Sequence, residues 1–320
     1  MDDEEVVEWL LDSDPALRWQ VERDLSGAPE ETWRATRSRV ATQGHGAELL
    51  ARQDPDGQWA GGAYFPADVT EADFADDGQP WTATTWSLFS LRDWGVEPEA
   101  LGDTAERLAR NSRWEYENLP YWDGEVDVCI NALTLANGAW LGVDVTRIAS
   151  WFPEHQLDDG GWNCEWVQGS RRSSFHSTLN ALKGLLDHER ITGGSDELRA
   201  ARRRGEEYLL ERGLMHRLSD GEAVGPFVAR FTHPPRHVYS ALNAADYFRD
   251  ASLLAGSAPD PRLAGAVDLI ASRRRPDGTW ARDYVLPGRV WFDVDGPAGE
   301  PSKWVTLSAL RVLRWWESAL

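Results

Sequence analysis

Gln53 to Trp59 reads QDPDGQW, and the same phrase returns twice in altered form. Gln156 to Trp162 reads QLDDGGW, and Arg275 to Trp280 reads RPDGTW. Asp-Gly is a strong turn signal and stops a helix. Each phrase follows an amphipathic stretch with helical spacing: roughly Glu31 to Arg52, Val145 to His155, and Pro261 to Arg274. A phrase recurring at a fixed place after helices marks a repeat architecture.

A short loop and a more apolar helix follow the phrases. The predicted helices run Thr82 to Asp93, Val128 to Leu141, Ser177 to Glu189, His237 to Arg249 and Trp304 to Trp316. The second, VCINALTLANGAWL, is apolar nearly all round, as suits a helix inside a structure. Asp196 to Arg212 differs, with charges on one side and Leu198, Tyr208 and Leu209 on the other. The chain therefore alternates half-exposed and buried helices in five visible hairpins, like stacked helical repeats. Two hairpins are degenerate, ending in NLPYWDGE before Val126 and LSDGEAVGPF before Val228. Residues 1–30 form a separate N-terminal helical pair, Glu4 to Leu11 and Pro15 to Leu25, with Asp14 as N-cap and Pro15 at N1. This pair is a sixth hairpin or a lid across one edge. No strand-rich segment is visible.

Composition bounds the function. The 320 residues carry a formal net charge of −20, a surface that repels nucleic acid and anionic lipid. An anionic substrate would need a local basic patch. Two cysteines, Cys129 and Cys164, make no disulfide framework and fit a reducing compartment. The opening MDDEEVVEWLLDSD is acidic where a signal peptide is basic, and no apolar run is long enough for a membrane span, so a cytoplasmic protein with no transmembrane segment is expected. Tryptophan, at 18, is in excess, and serves either core or cavity.

The Gln-x-x-x-Gly-x-Trp phrase resembles the QW repeat of squalene–hopene cyclases and protein prenyltransferase β subunits, over about Glu31 to the C-terminus. The resemblance implies an all-α fold for residues 31–320: an α/α toroid of five to six helical hairpins around an apolar central cavity. An open helical solenoid is the competing architecture, and the N-terminal pair looks HEAT-like. The Trp of each phrase, Trp59, Trp162 and Trp280, reads as a structural lock between hairpins.

The sharpest chemical signal is Asp127-Val128-Cys129 at the start of one inner helix, followed one repeat later by Phe175-His176-Ser177 at the start of the next. In a ring these starts lie side by side, so a carboxylate, a thiolate and an imidazole would converge at one rim. Three ligands with an open fourth position describe a catalytic zinc site. Asp127 and Cys129 can share an ion only if Asp127 sits at the cap, outside the helix. The helix N-terminus favours the Cys129 thiolate. Structural readings also exist: Asp127 as a cap, Cys129 as a small buried residue, His176 as a cap or core side chain. EVDVCINAL and SSFHSTLNALKGL are similar to the zinc site of protein farnesyltransferase. That resemblance implies zinc on Asp127, Cys129 and His176, which would be the catalytic set, with Cys164 a further ligand or a bystander.

The chain departs from that family upstream of the motif. The stretch NLPYWDGEV has no Lys or Arg where prenyltransferases bind diphosphate, and nothing indicates their separate α subunit, so any protein partner is unknown. Basic residues occur elsewhere: Arg171 and Arg172 before His176, Arg230, His233, Arg236 and His237 in RFTHPPRH, and Lys303. They form an anion clamp or merely solvate an acidic surface. Class II terpene cyclases resemble one another in an Asp-x-Asp-Asp acid. Here the matching Glu125-Val126-Asp127-Val128 is broken, and ADFADD up to Asp77 and Asp293-Val294-Asp295 are weak substitutes. Trp81, Trp86, Trp122, Phe175, Tyr239 and Trp304 are the aromatics expected to line the rim and cavity, where they would hold a hydrophobic, isoprenoid-type substrate. Three functions compete: a zinc-dependent prenyltransferase-like enzyme, a metal-independent cyclase or isomerase, and a non-catalytic scaffold or lipid-binding module.

Overall fold

The computed structural model describes residues 3–318, apart from the side chains of Asp76 and Asp77. The last two aspartates of ADFADD therefore lie outside the described residues as an acid. Among the described residues there are thirteen α-helices and no β-strand, only isolated bridges such as Gln53 with Trp59.

The predicted buried helices are α5 (Thr84–Asp93), α7 (Val128–Trp140), α9 (Phe175–Thr192), α11 (Ala241–Ala255) and α13 (Lys303–Glu317). Every residue of α7 before Trp140 is buried. The covering helices are α6 (Thr104–Asn111), α8 (Thr146–Glu154), α10 (Asp196–Leu210) and α12 (Ala264–Ser272). At the N-terminus lie α1 (Asp3–Leu11) and α2 (Pro15–Asp24), where Asp14 caps α2 through Ala16 N–H at 2.9 Å. The single helix expected over Glu31 to Arg52 is broken into α3 (Glu30–Ser38) and α4 (Gly44–Leu50). Gly44 has φ +61, and a Cβ there would strike the Asp14 carboxylate at 1.9 Å. Asp14 Oδ2 accepts His45 N–H at 2.9 Å while Oδ1 caps α2, so this turn is tied to the α2 cap.

Buried helices pack in chain order: α5 on α7, α7 on α9, α9 on α11, α11 on α13. The α7–α9 approach is closest because Gly184 has no side chain; a Cβ there would sit 2.6 Å from Ala132 O. Helix α13 then packs on α2, with Arg311 ion-paired to Asp24. Trp19 on α2 donates Nε1–H to Trp94 O at 2.8 Å, just past α5.

The repeated phrase does one physical job three times. The indoles of Trp59, Trp162 and Trp280 are fully buried, and each donates Nε1–H to the carbonyl ten residues back, at Leu49, Phe152 and Ile270, at 2.8–2.9 Å. Those carbonyls lie in the last turns of α4, α8 and α12, where intrahelical donors run out; Leu49 O and Ile270 O also accept Arg52 N–H and Arg273 N–H at 3.1 and 3.2 Å. Each Trp backbone N–H in turn donates to a threonine of the next buried helix: Thr84, Thr178 and Thr306. The Gln of the phrase reaches sideways. Gln53 binds Thr104 Oγ1 on α6, and Gln156 binds Ala201 O on α10. In the third phrase Arg274 stands six residues before the Trp, binds Gly278 O, and reaches Asp3 on α1.

Candidate metal centre

Asp127 is the N-cap of α7; its Oδ1 accepts Cys129 N–H at 2.8 Å. That places the carboxylate outside the helix, beside the first-turn sulfur. Cys164 arrives from a short 3-10 turn, Cys164–Gln168, that opens at an Asn163 cap. Trp166 on this turn donates Nε1–H to Val126 O at 2.8 Å and fixes it against the Asp127 backbone. Cys164 Sγ is consequently 2.8 Å from Asp127 Oδ1 and 3.3 Å from Cys129 Sγ. Asp127, Cys129 and Cys164 thus offer one oxygen and two sulfurs, all within 4.8 Å of one another.

Helix α9 supplies hydrogen bonds to both sulfurs. Ser177 Oγ donates to Cys164 Sγ at 3.2 Å and accepts Cys164 N–H at 3.0 Å. Asn180 Nδ2 lies 3.5 Å from Cys129 Sγ and also binds His237 O at 2.8 Å. Residues three apart share a helix face, and a neighbour one residue away turns by about 100°. His176, next to Ser177, accordingly points elsewhere. Its ring packs on Phe227 at 4.6 Å and Tyr239 at 6.3 Å, and the structure does not bring it into the group of three. Burial, with the neighbouring His237, pulls its pKa down to about 4.

Three acidic groups crowded together set the local electrostatics. The hydrogen bond with Cys164 and burial push the Cys129 thiol well above its ordinary range, and Asp127 adds to this. A divalent cation would reverse that penalty and draw off the thiol protons. Two thiols and a carboxylate form a donor set suited to zinc. Ligand atoms on a tetrahedral zinc ion stand about 3.5–3.8 Å apart, so the Cys164 contacts at 2.8 and 3.3 Å would lengthen by well under 1 Å.

Sequence reasoning missed Tyr64. Burial first, then the charges of Asp127, Cys129 and Cys164, hold its phenol well above its ordinary range. Its ring lies 5.1 Å from Trp86, which meets Trp81 edge-on at 4.8 Å. With Leu133 these form an apolar cluster separate from the main core. Its only sequence signal was position, in AGGAYFP directly after a repeat phrase.

Several polar groups here lack partners among the described residues. Trp86 Nε1 and His237 Nδ1 are buried with none. Arg236 lies over Trp81 and Trp86, at 5.2 and 5.8 Å, without an ion pair, and burial pulls its guanidinium down to about 9. His237 sits before α11, not on it as predicted, because Ser240 caps that helix. Burial lowers its pKa while the Asp127 charge raises it. Buried polar groups without partners are uncommon in folded proteins.

Other expected site residues lie outside the group of three. Arg171 and Arg172 are exposed at the surface. Trp122 donates to Ala105 O, and the fully buried Tyr239 donates to Leu214 O at 2.8 Å, so both are structural. Trp304 stacks on His233 at 4.2 Å and borders the central cavity. Asp295 binds Ser302, the cap of α13, at 2.5 Å.

No protein-family model matches the chain, and no curated protein matches it. Solved structures are similar to the chain, two of them as follows. One is a crystallised protein from Actinoplanes, 18% identical with a TM-score of 0.47, over 99% of this chain and 100% of that one. The other is the type II terpene cyclase MstE from Scytonema in its apo form, 16% identical with a TM-score of 0.43, over 96% of this chain and 88% of that one. No helix among the described residues is long and apolar enough to cross a membrane.

Proposed function

We propose that this chain is a zinc-dependent enzyme of the prenyltransferase-like and terpene-cyclase-like class, acting on a hydrophobic, isoprenoid-type substrate in the cytoplasm. Its helices close into an α/α toroid of six hairpins, with α1 and α2 as the sixth; the Arg274–Asp3 and Arg311–Asp24 pairs support closure. The observation that carries the functional reading is the convergence of Asp127, Cys129 and Cys164 beside an aromatic wall of Tyr64, Trp81 and Trp86.

In this reading Asp127, Cys129 and Cys164 hold the ion, which when bound supplies a Lewis acid that activates a thiol or water. Ser177 and Asn180 orient the two sulfurs. The aromatic wall takes the apolar body of the substrate and meets positive charge with its ring faces. Arg236 and Trp86 Nε1 offer donors to a polar end. His237, with its free Nδ1, accepts the proton released by the nucleophile.

Elemental analysis of the purified protein tests the proposal. About one zinc per chain is expected, lost in Cys129→Ala and Cys164→Ala and retained in His176→Ala. Zinc absent from the wild type, or lost in His176→Ala alone, overturns the ligand set. A second reading, a metal-independent cyclase, draws on Glu125, whose carboxyl burial raises although Val126 and Asp127 N–H groups oppose it. That reading requires metal-free protein to be active and Glu125→Gln to be inert.

A further inference from the structure

The central cavity, about 430 Å³, is not the greasy hollow that a polyene would need throughout. Its half nearer the C-terminal ends of the buried helices is charged. Arg23 and Arg311 share Asp24, and Arg37 meets Glu97 at 3.2 Å. Arg92 is paired with Asp187, and Arg190 lies 3.5 and 3.6 Å from Asp187 and Asp250. Arg249 holds Asp246 at 2.7 Å and Asp250 at 2.9 Å.

Lys183 is left over at this charged end, as Arg236 is beside Trp81 and Trp86. Lys183 lines the same cavity and, among the described residues, has no hydrogen bond or ion pair. Eight cations line the cavity, Lys183 and Arg236 among them, against four lining aspartates, Asp93, Asp187, Asp246 and Asp250. Even with Asp24 and Glu97, which pair with lining arginines, the balance is positive inside a chain whose net charge is −20. Burial draws the Lys183 ammonium below its ordinary range, and raises the Asp93 carboxyl above its own. An anion on Lys183 would restore the ammonium's charged form. A dianion would meet four nearby aspartates, so a single negative charge fits better.

We propose that Lys183 binds the carboxylate of a small monocarboxylic ligand in this cavity. Asn180 lies one helical turn from Lys183 on the same face of α9, about 4.5 Å along the axis. Asn180 also lines the cavity and touches Cys129 Sγ, so a ligand seated on Lys183 extends toward the thiols. The site uses no metal and stands apart from the zinc reading; metal content and ligand binding are measured separately, so either can fail alone.

Ligand-observed NMR with the full chain tests it, using butyrate, its uncharged isostere butyramide, and inorganic phosphate. Butyrate is expected to bind, butyramide not, and phosphate not to displace butyrate. Losing a charge-assisted hydrogen bond weakens binding by about tenfold or more, so Lys183→Met should do so and Lys183→Arg should restore part. Circular dichroism checks that the variants fold; if Lys183→Met does not, the butyrate and butyramide comparison on wild type decides. No butyrate binding, equal binding of butyramide, displacement by phosphate, or full butyrate affinity in folded Lys183→Met would each overturn the assignment.

Discussion

Cys164 Sγ stands 3.3 Å from Cys129 Sγ, although 35 residues separate them in the chain. Such a pair either shares an ion or oxidises readily. After chelation, oxidised glutathione should convert the two thiols to a disulfide, releasing two molecules of glutathione, with a mass loss of about 2 Da. Zinc-loaded protein should resist, since coordinated sulfurs are poor nucleophiles for exchange. Intact mass against time reads both, and Cys164→Ser should abolish the change. Equal oxidation rates with and without zinc would count against a shared ion.

The tryptophan locks predict a stability pattern. Trp162→Phe keeps most of the ring but leaves the Phe152 carbonyl without its donor at 2.9 Å. An unsatisfied buried group costs about 1–3 kcal/mol, so the urea midpoint should fall accordingly. Trp59→Phe and Trp280→Phe should lose less, because Leu49 O and Ile270 O still accept Arg52 N–H and Arg273 N–H. Thr178→Val removes the acceptor of Trp162 N–H from the other side and should cost about as much. A neutral result in all four would mean that the phrase is not a structural lock.

These locks explain why the helical plan was legible. Turn chemistry at Asp-Gly and apolar periodicity are local signals, and they located the buried helices to within a few residues. Asp127 was legible for the same reason, since capping is local. His176 was not, because the difference between it and Ser177 is one helical step, and sequence does not state which face of α9 meets α7. Cys164 stayed ambiguous because its position depends on the Trp166 hydrogen bond to Val126, a contact across 40 residues. Tyr64 and Lys183 had no motif at all. Their significance comes from what surrounds them in three dimensions.

His176 also makes a pH prediction. Its folded pKa, about 4, lies below the ordinary histidine value of 6.5. The unfolded chain therefore binds the extra proton between these values, and stability present above pH 6.5 is lost as pH falls toward 4. The loss from this group is on the order of 3 kcal/mol. His176→Gln should remove that portion of the slope, so the wild-type and variant curves should run parallel above pH 6.5 and diverge below it. Chemical denaturation at stepped pH on zinc-free protein reads this. Parallel curves down to pH 4 would show that the imidazole is not held neutral against Phe227.

Closure of the proposed ring rests on α13 meeting α2, and Arg311 is the residue to probe. Its side chain is 9% exposed and pairs with Asp24, while it also donates to Gln20 Oε1 at 2.8 Å. Burial alone would raise the Asp24 carboxyl; Arg23 and Arg311 together hold it down at about 2. Arg311→Leu strips one of those partners and should cost about 3 kcal/mol, the usual penalty for breaking a buried pair. Adding Asp24→Asn removes the uncompensated charge, so the double variant should lose less than the two single losses added together. If the contact closes a ring, the damage should not stay in the last helix. Hydrogen exchange in Arg311→Leu should rise in α2 as well as α13, although nearly the whole chain lies between them. Faster exchange confined to α13 would instead describe an open array whose last helix frays.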